Sequence, residues 1–204
     1  MSRIPLPAPD TMTAAQKRVY ERIVSGPRGR LVGPLRAALH NPELAEVWQA
    51  FGALLRYGTS LPPRVSELAI VVTARRWNSQ IEWAIHRQAA LDAGLSSSIL
   101  AAIQARRAPV FDAAADAIAY EYTRQLQETG QVAPALHAQA VAQWGVAGVV
   151  ELTAVIGYYT LVSMTLNAHE IPMPDGVPAS LDVPTETGAP SLSRLAPLPH
   201  PVST

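Results

Sequence analysis

The stretch Arg64-Val-Ser-Glu67-Leu-Ala-Ile-Val-Val-Thr-Ala-Arg-Arg-Trp77-Asn-Ser79-Gln-Ile-Glu82-Trp83-Ala-Ile-His86-Arg-Gln-Ala-Ala-Leu-Asp-Ala-Gly94-Leu95 decides how the rest of the chain is read. From Val65 to Ala74 the only polar side chains are Ser66, Glu67 and Thr73. A helix that is apolar nearly all round is a buried one. Pro62-Pro63 suits its first turn, where a missing N–H costs nothing. Trp77-Asn78 makes a turn, and a second helix runs from about Ser79 to Asp92, with Gly94 as its stop. Two helices joined by so short a link lie antiparallel. The segment therefore predicts a central helix hairpin.

Outward from the hairpin the pattern stays helical. Thr13 to Ile23 is a short, polar helix, broken by Ser25-Gly26-Pro27-Arg28-Gly29. Pro34 to Leu39 holds one short helical turn. Asn41 is an N-cap with Pro42 behind it, and Leu44, Val47, Trp48, Phe51, Leu54 and Leu55 follow at spacings of three and four, up to Gly58. After the hairpin, Ser96-Ser97-Ser98 caps a helix through Ile103, Asp112 to Gln127 is amphipathic, and Pro134 to Trp144 precedes a long apolar helix from Val146 to about Ala168. No convincing stretch alternates with period two, so the fold class is all-α. Residues 1–170 form one domain. From Ile171 onward eight prolines fall in 34 residues, which predicts an extended tail over 171–204, disordered or wrapped on a partner.

Composition narrows the chemistry. The 204 residues carry sixteen basic and sixteen acidic side chains, so no net charge favours nucleic acid or an anionic membrane. Cysteine is absent. That removes disulfides, thiolate nucleophiles and cysteine-held metals or clusters. The single lysine, Lys17, sits among polar residues, a poor place for a Schiff base. Val146 to Leu166 is long enough to span a bilayer, yet it holds Glu151 and several hydroxyls and lacks a basic flank, so it reads as a core or interface helix. No signal segment is visible, and the expected compartment is the cytoplasm.

One constellation stands out. Glu67 and His86 lie at similar distances from the Trp77-Asn78 turn, so they face each other across an antiparallel hairpin. Glu82, four residues before His86, shares its face. A carboxylate beside an imidazole favours the charged ring, while burial favours the neutral one, and the competition sets up a proton-transfer group. Bland alternatives exist. Ser79-x-x-Glu82 fits a capping box, His86 fits a satisfied core histidine, and Glu67 fits an ion pair with Arg64 or Arg87. Two carboxylates and one histidine also suit a divalent ion, but no second histidine has ligand spacing, and no metal is assigned. Arg75-Arg76 suits either a substrate carboxylate or the helix C-terminus. Tyr158-Tyr159 reads as packing in the core or at a subunit interface, and Glu151 as a carboxylate at a helix N-terminus.

The quoted stretch resembles the carboxymuconolactone decarboxylase family, which includes the alkylhydroperoxidase D-like proteins. The Glu67-Leu start, Glu82-Trp83-x-x-His86 and the Ala-Gly94-Leu95 exit carry the likeness, with Glu151-Leu-Thr-Ala-Val-Ile-Gly157-Tyr158-Tyr159 and the Ile-Pro-Met-Pro exit. The resemblance implies an all-α alkylhydroperoxidase D-like bundle that assembles as a homo-oligomer, a trimer or hexamer. In the peroxidase branch a Cys-x-x-Cys pair precedes the histidine. Those positions are Ser79 and Glu82 here, so a thiol peroxidase is excluded. The decarboxylase branch lacks the pair and implies a cofactor-free lyase or isomerase on a small carboxylate or lactone. His86 would move the proton, Glu67 would orient it, and Glu82 would be a second acid or base. Trp83, Ser79 and Arg75 would bind substrate. The second reading is an oligomeric binding protein that keeps the fold without catalysis.

Overall fold

A computed structural model describes residues 2–31, 33–182 and 195. Its elements are α1 (Ala14–Ser25), α2 (Pro34–Ala38), α3 (Pro42–Tyr57), α4 (Pro63–Arg76), α5 (Gln80–Asp92), α6 (Ser97–Gln104), α7 (Ala114–Thr129) and α8 (Pro134–Ala168). No strand occurs among the described residues.

The centre is α4. Leu68 to Arg75 is buried without interruption, and the helix packs against α5, α6, α7 and α8. Its apolar circumference is thus used on every side. Burying a side chain such as Leu68 or Val71 contributes roughly 1.5–3 kcal/mol. The α4–α5 hairpin forms as its sequence predicts, with Asn78 in the left-handed region (φ 52°), a conformation asparagine tolerates. A second layer, α1 to α3, packs within itself and reaches the bundle through α8.

Local chemistry sets the boundaries. The Thr13 hydroxyl accepts from the Gln16 amide while the Gln16 side chain accepts from the Thr13 amide, a capping box at α1. Asn41 caps α3 and Ser96 caps α6. Gly130 closes α7 in the left-handed conformation (φ 72°). The amphipathic helix expected from Asp112 begins at Ala114 and runs two residues past Gln127. The long last helix breaks at Gly145 (φ 68°, ψ 174°), between the two predicted pieces. That backbone region is essentially confined to glycine. It is the one described helix long and apolar enough to cross a membrane by length and composition. Its Leu152, Val155, Ile156, Val162 and Leu166 are instead buried in the bundle.

The beginning of the predicted tail lies on its own chain. Ile171 and Leu181 are buried. The Gln80 side chain accepts from the amides of Ser180 and Leu181 and donates to the Leu181 carbonyl (3.0, 2.9 and 2.6 Å). Gln104 donates to the Ser180 carbonyl at 2.8 Å. Residues 171–182 therefore strap the turn end of the hairpin. The rest of the predicted tail, Leu195 apart, falls outside the described residues.

Candidate active site

Midway along the hairpin, His86 lies between two carboxylates. Its Nδ1 is 2.7 Å from Glu67 Oε2 on α4, and its Nε2 is 3.3 Å from Glu82 Oε2 one turn earlier on α5. Cross-helix register supplies the first contact and the i,i+4 relation the second. The ring is 2% exposed. Burial is the largest single influence on its pKa and opposes the charged form. The hydrogen bonds to Glu67 and then Glu82, with their charges, outweigh it and raise the pKa from 6.5 to about 9. At neutral pH the ring is an imidazolium donating from both nitrogens. A Tyr159 edge contact at 4.9 Å fixes its plane from α8.

Several bland alternatives are thereby decided. Ser79 makes no cap hydrogen bond to α5, and Glu82 turns to His86 instead of back to the N-terminus. Glu67 pairs with the histidine and not with arginine, since Arg64 is held by Asp116 at 2.6 Å. Glu151 sits too far along α8 to serve a helix N-terminus and instead accepts from the Ser60 amide and hydroxyl (2.8 and 2.6 Å).

The site adjoins a small cleft with a cavity volume of about 40 Å³. Glu82, Ile85 and His86 of α5 line it with Pro34 of α2, Arg56 of α3, Tyr158 and Tyr159 of α8, and Arg28 from the α1–α2 loop. Glu67 lies behind the ring, so the Nε2–Glu82 side is the one that faces the cleft. Arg28 Nη2 stands 3.5 Å from the Tyr158 hydroxyl. Burial, chiefly, raises the pKa of both tyrosines, that of Tyr159 well above its usual value, with Glu82 adding in the same direction. Both therefore stay neutral donors.

Three residues expected to bind substrate are elsewhere. Trp83 and Ser79 are wholly buried and do not line the cleft. Trp83 follows Glu82 by one position, about 100° further round α5, and turns into the core. Arg75 lies at the turn end, where it donates to Asn78 Oδ1 and to the Asp182 carbonyl. It is too far along α4 to share a site with Glu67. Conversely, Arg28, Arg56, Tyr158 and Tyr159 reach the cleft although no sequence pattern marked them for it. The paired tyrosines were visible as a feature, but their direction was not.

The sequence profile of the carboxymuconolactone decarboxylase family matches residues 42–125, from the start of α3 into α7, and so includes Glu67, Glu82 and His86. No curated protein matches the chain. Among solved structures, the chain is similar to a peroxidase-related protein from Silicibacter sp. TM1040, with TM-score 0.67 and 15% identity over 86% of this chain and 93% of that one. It is also similar to a peroxidase-related protein with an alkylhydroperoxidase AhpD core from Ralstonia eutropha JMP134 (TM-score 0.66, 14% identity, 85% and 93%). A third is the debrominase Bmp8, in a cysteine-to-alanine form with 2,3,4-tribromopyrrole (TM-score 0.62, 11% identity, 85% and 91%). At such identities the likeness establishes the fold. Residues 42–125 thus carry the carboxymuconolactone decarboxylase profile inside a fold similar to those peroxidase-related structures, in a chain without cysteine.

Proposed function

We propose that the protein is a cofactor-free lyase or isomerase that moves a proton on a small carboxylated or lactone metabolite. The observation that carries this is His86, held charged between Glu67 and Glu82, with its Nε2 side toward an open cleft. A buried imidazolium with one carboxylate behind it and one beside it is a positioned general acid. Glu67 orients the ring through Nδ1. Nε2–H delivers the proton to a substrate carbon, and Glu82 is the base that accepts one from substrate or water.

In an isomerisation Glu82 takes a proton from one carbon, and Nε2–H returns one to another. In a decarboxylation the C–C bond to the carboxylate breaks and its electron pair moves into the conjugated carbonyl. Nε2–H then protonates the carbon, CO2 leaves, and water recharges His86. The absence of any thiol removes the peroxidase chemistry of other branches. A debrominase with a bromopyrrole in a related fold supports the use of this scaffold for small-molecule reactions.

The protein acts, on this reading, in the cytoplasm as a homo-oligomer, a trimer or hexamer. Leu44, Val47, Phe51 and Leu54 support assembly: they form an exposed apolar stripe along α3. Light scattering behind a sizing column measures it, and a monomer at micromolar concentration would end that part.

The direct test follows small unsaturated carboxylates and lactones by proton NMR in deuterated buffer. Turnover or solvent exchange that disappears in His86→Gln supports the assignment. An inert panel, with a His86 ring that no member perturbs, would favour the non-catalytic binding protein.

A further inference from the structure

We infer that Arg28 and Arg56 form the anion subsite of this cleft and hold a substrate carboxylate that survives the reaction. The inference rests on the proton-transfer reading for its chemistry, but its geometry stands alone. Both side chains line the cleft that His86 and Glu82 line. Three other buried or half-buried arginines meet carboxylates: Arg64 meets Asp116, Arg124 meets Glu121 and Arg76 meets Glu128. Neither Arg28 nor Arg56 pairs with a carboxylate among the described residues. Arg28 touches only the Tyr158 hydroxyl, at 3.5 Å, and its Nε is buried without a protein partner. Arg56 rests over the Tyr57 ring. Arg56 is exposed and adds its charge at the cleft's rim, whereas Arg28 is half-buried, and a half-buried guanidinium left without an acceptor is costly unless something else supplies the oxygen.

Space for this arrangement is built in at Gly52. A Cβ there would collide with the Tyr158 hydroxyl and with Arg28 Nη2, and would meet Tyr158 Cζ at 2.5 Å. The absent side chain lets the arginine and the tyrosine occupy the cleft wall together. The wall then offers guanidinium donors and a neutral hydroxyl. Glu82 and Glu67, with the His86 cation, leave the opposite side with one net negative charge. A carboxylate is drawn to the arginine side, and the rest of the ligand lies toward Nε2.

This polarity restricts the substrate. A carboxylate departing as CO2 loses its charge in the transition state. Arginines gripping that same group would stabilise the ground state more and slow the reaction. The clamped carboxylate is therefore one that remains. The substrate class is a monocarboxylate undergoing proton transfer, or a compound with a second carboxylate where one is lost.

The experiment uses the full-length protein with 2-furoate, a five-membered unsaturated ring bearing one carboxylate, and its neutral amide 2-furamide. Binding is followed by isothermal titration calorimetry, a readout that the His86→Gln variant retains. Saturable millimolar or tighter binding of 2-furoate, no binding of 2-furamide, and affinity weakened about tenfold or more in both Arg28→Gln and Arg56→Gln support the subsite. Arg28→Lys should restore part of it, as a point charge without the fork. Equal binding of acid and amide, no saturable binding of 2-furoate, or wild-type affinity in either glutamine variant overturns the inference. His86→Gln separates the two readings. If it binds 2-furoate but retains turnover, the proton-transfer reading fails and the anion subsite stands.

Discussion

The turn of the α4–α5 hairpin and its middle treat their charged groups in opposite ways. At the turn, burial lowers the pKa of Arg75 and takes that of Arg106 down to about 10, with Arg75 and Arg76 adding repulsion. Yet protein oxygens meet these guanidinium groups. Arg75 donates to Asn78 Oδ1 and Asp182 O, and Arg106 donates to the same Asn78 oxygen at 2.6 Å. The strap reaches Arg75 through the Asp182 carbonyl. Midway along the hairpin, the imidazolium is met by Glu67 and Glu82, but the half-buried Arg28 and the exposed Arg56 across the cleft pair with no carboxylate among the described residues. Burying a charge is expensive in either place. Where the chain supplies the partner the group is a structural anchor, and where it withholds one beside an opening the group is available to a ligand.

The sharpest way to break this contrast is to exchange the two regions' roles in an assay. His86→Gln should lower turnover by roughly 10²–10⁴-fold, the usual worth of a positioned acid–base group, whereas Arg75→Gln should leave turnover intact and lower the unfolding temperature. If Arg75→Gln instead removes activity at unchanged stability, the turn end is part of the site. Next in size, Leu181→Ala should cost about 2–4 kcal/mol in denaturant unfolding, as a buried leucine does. The His86 titration should not move, because the strap's hydrogen bonds go to Gln80, Gln104 and Arg75 and not to Glu67, Glu82 or His86.

Glu67→Gln should shift the His86 titration downward by roughly 1–3 units, leaving burial to act with less opposition. Glu82→Gln should shift it less, since the Glu67 hydrogen bond is the larger upward influence. An NMR pH titration reads both, and an equal or reversed order would show that Glu67 is not the orienting partner. The sign of the stability effect follows from the raised pKa. The charged ring stabilises the fold fully below pH 6.5, and that contribution is lost as pH rises through about 9. Thermal unfolding should therefore show a decline over this window that His86→Gln lacks. The smallest effect is expected for Gly52→Ala, which should weaken 2-furoate binding on the order of threefold. It crowds Tyr158 and Arg28 while leaving the histidine contacts in place.

The core of the site was legible because it is local. Glu82 and His86 are one helical turn apart, and Glu67 reaches them across a turn of three residues, so periodicity and hairpin register suffice. The apolar circumference of α4, the break at Gly145 and the exclusion of thiol chemistry were equally open to inspection. Trp83, Ser79 and Arg75 lie away from the cleft for a related reason. They are near His86 and Glu67 along the chain, but a helix turns 100° per residue, and neighbours in sequence point into the core or lie at the turn.

What the chain alone could not disclose is the cleft wall. Arg28 is in a loop, Arg56 ends α3, and Tyr158 and Tyr159 lie on α8, more than seventy residues beyond the histidine. Periodicity fixes which residues share a face of one helix. It does not say which face of a distant helix will be turned toward it. That choice is made by packing the α1–α3 layer onto α8, where a missing side chain at Gly52 leaves the room that Arg28 and Tyr158 occupy.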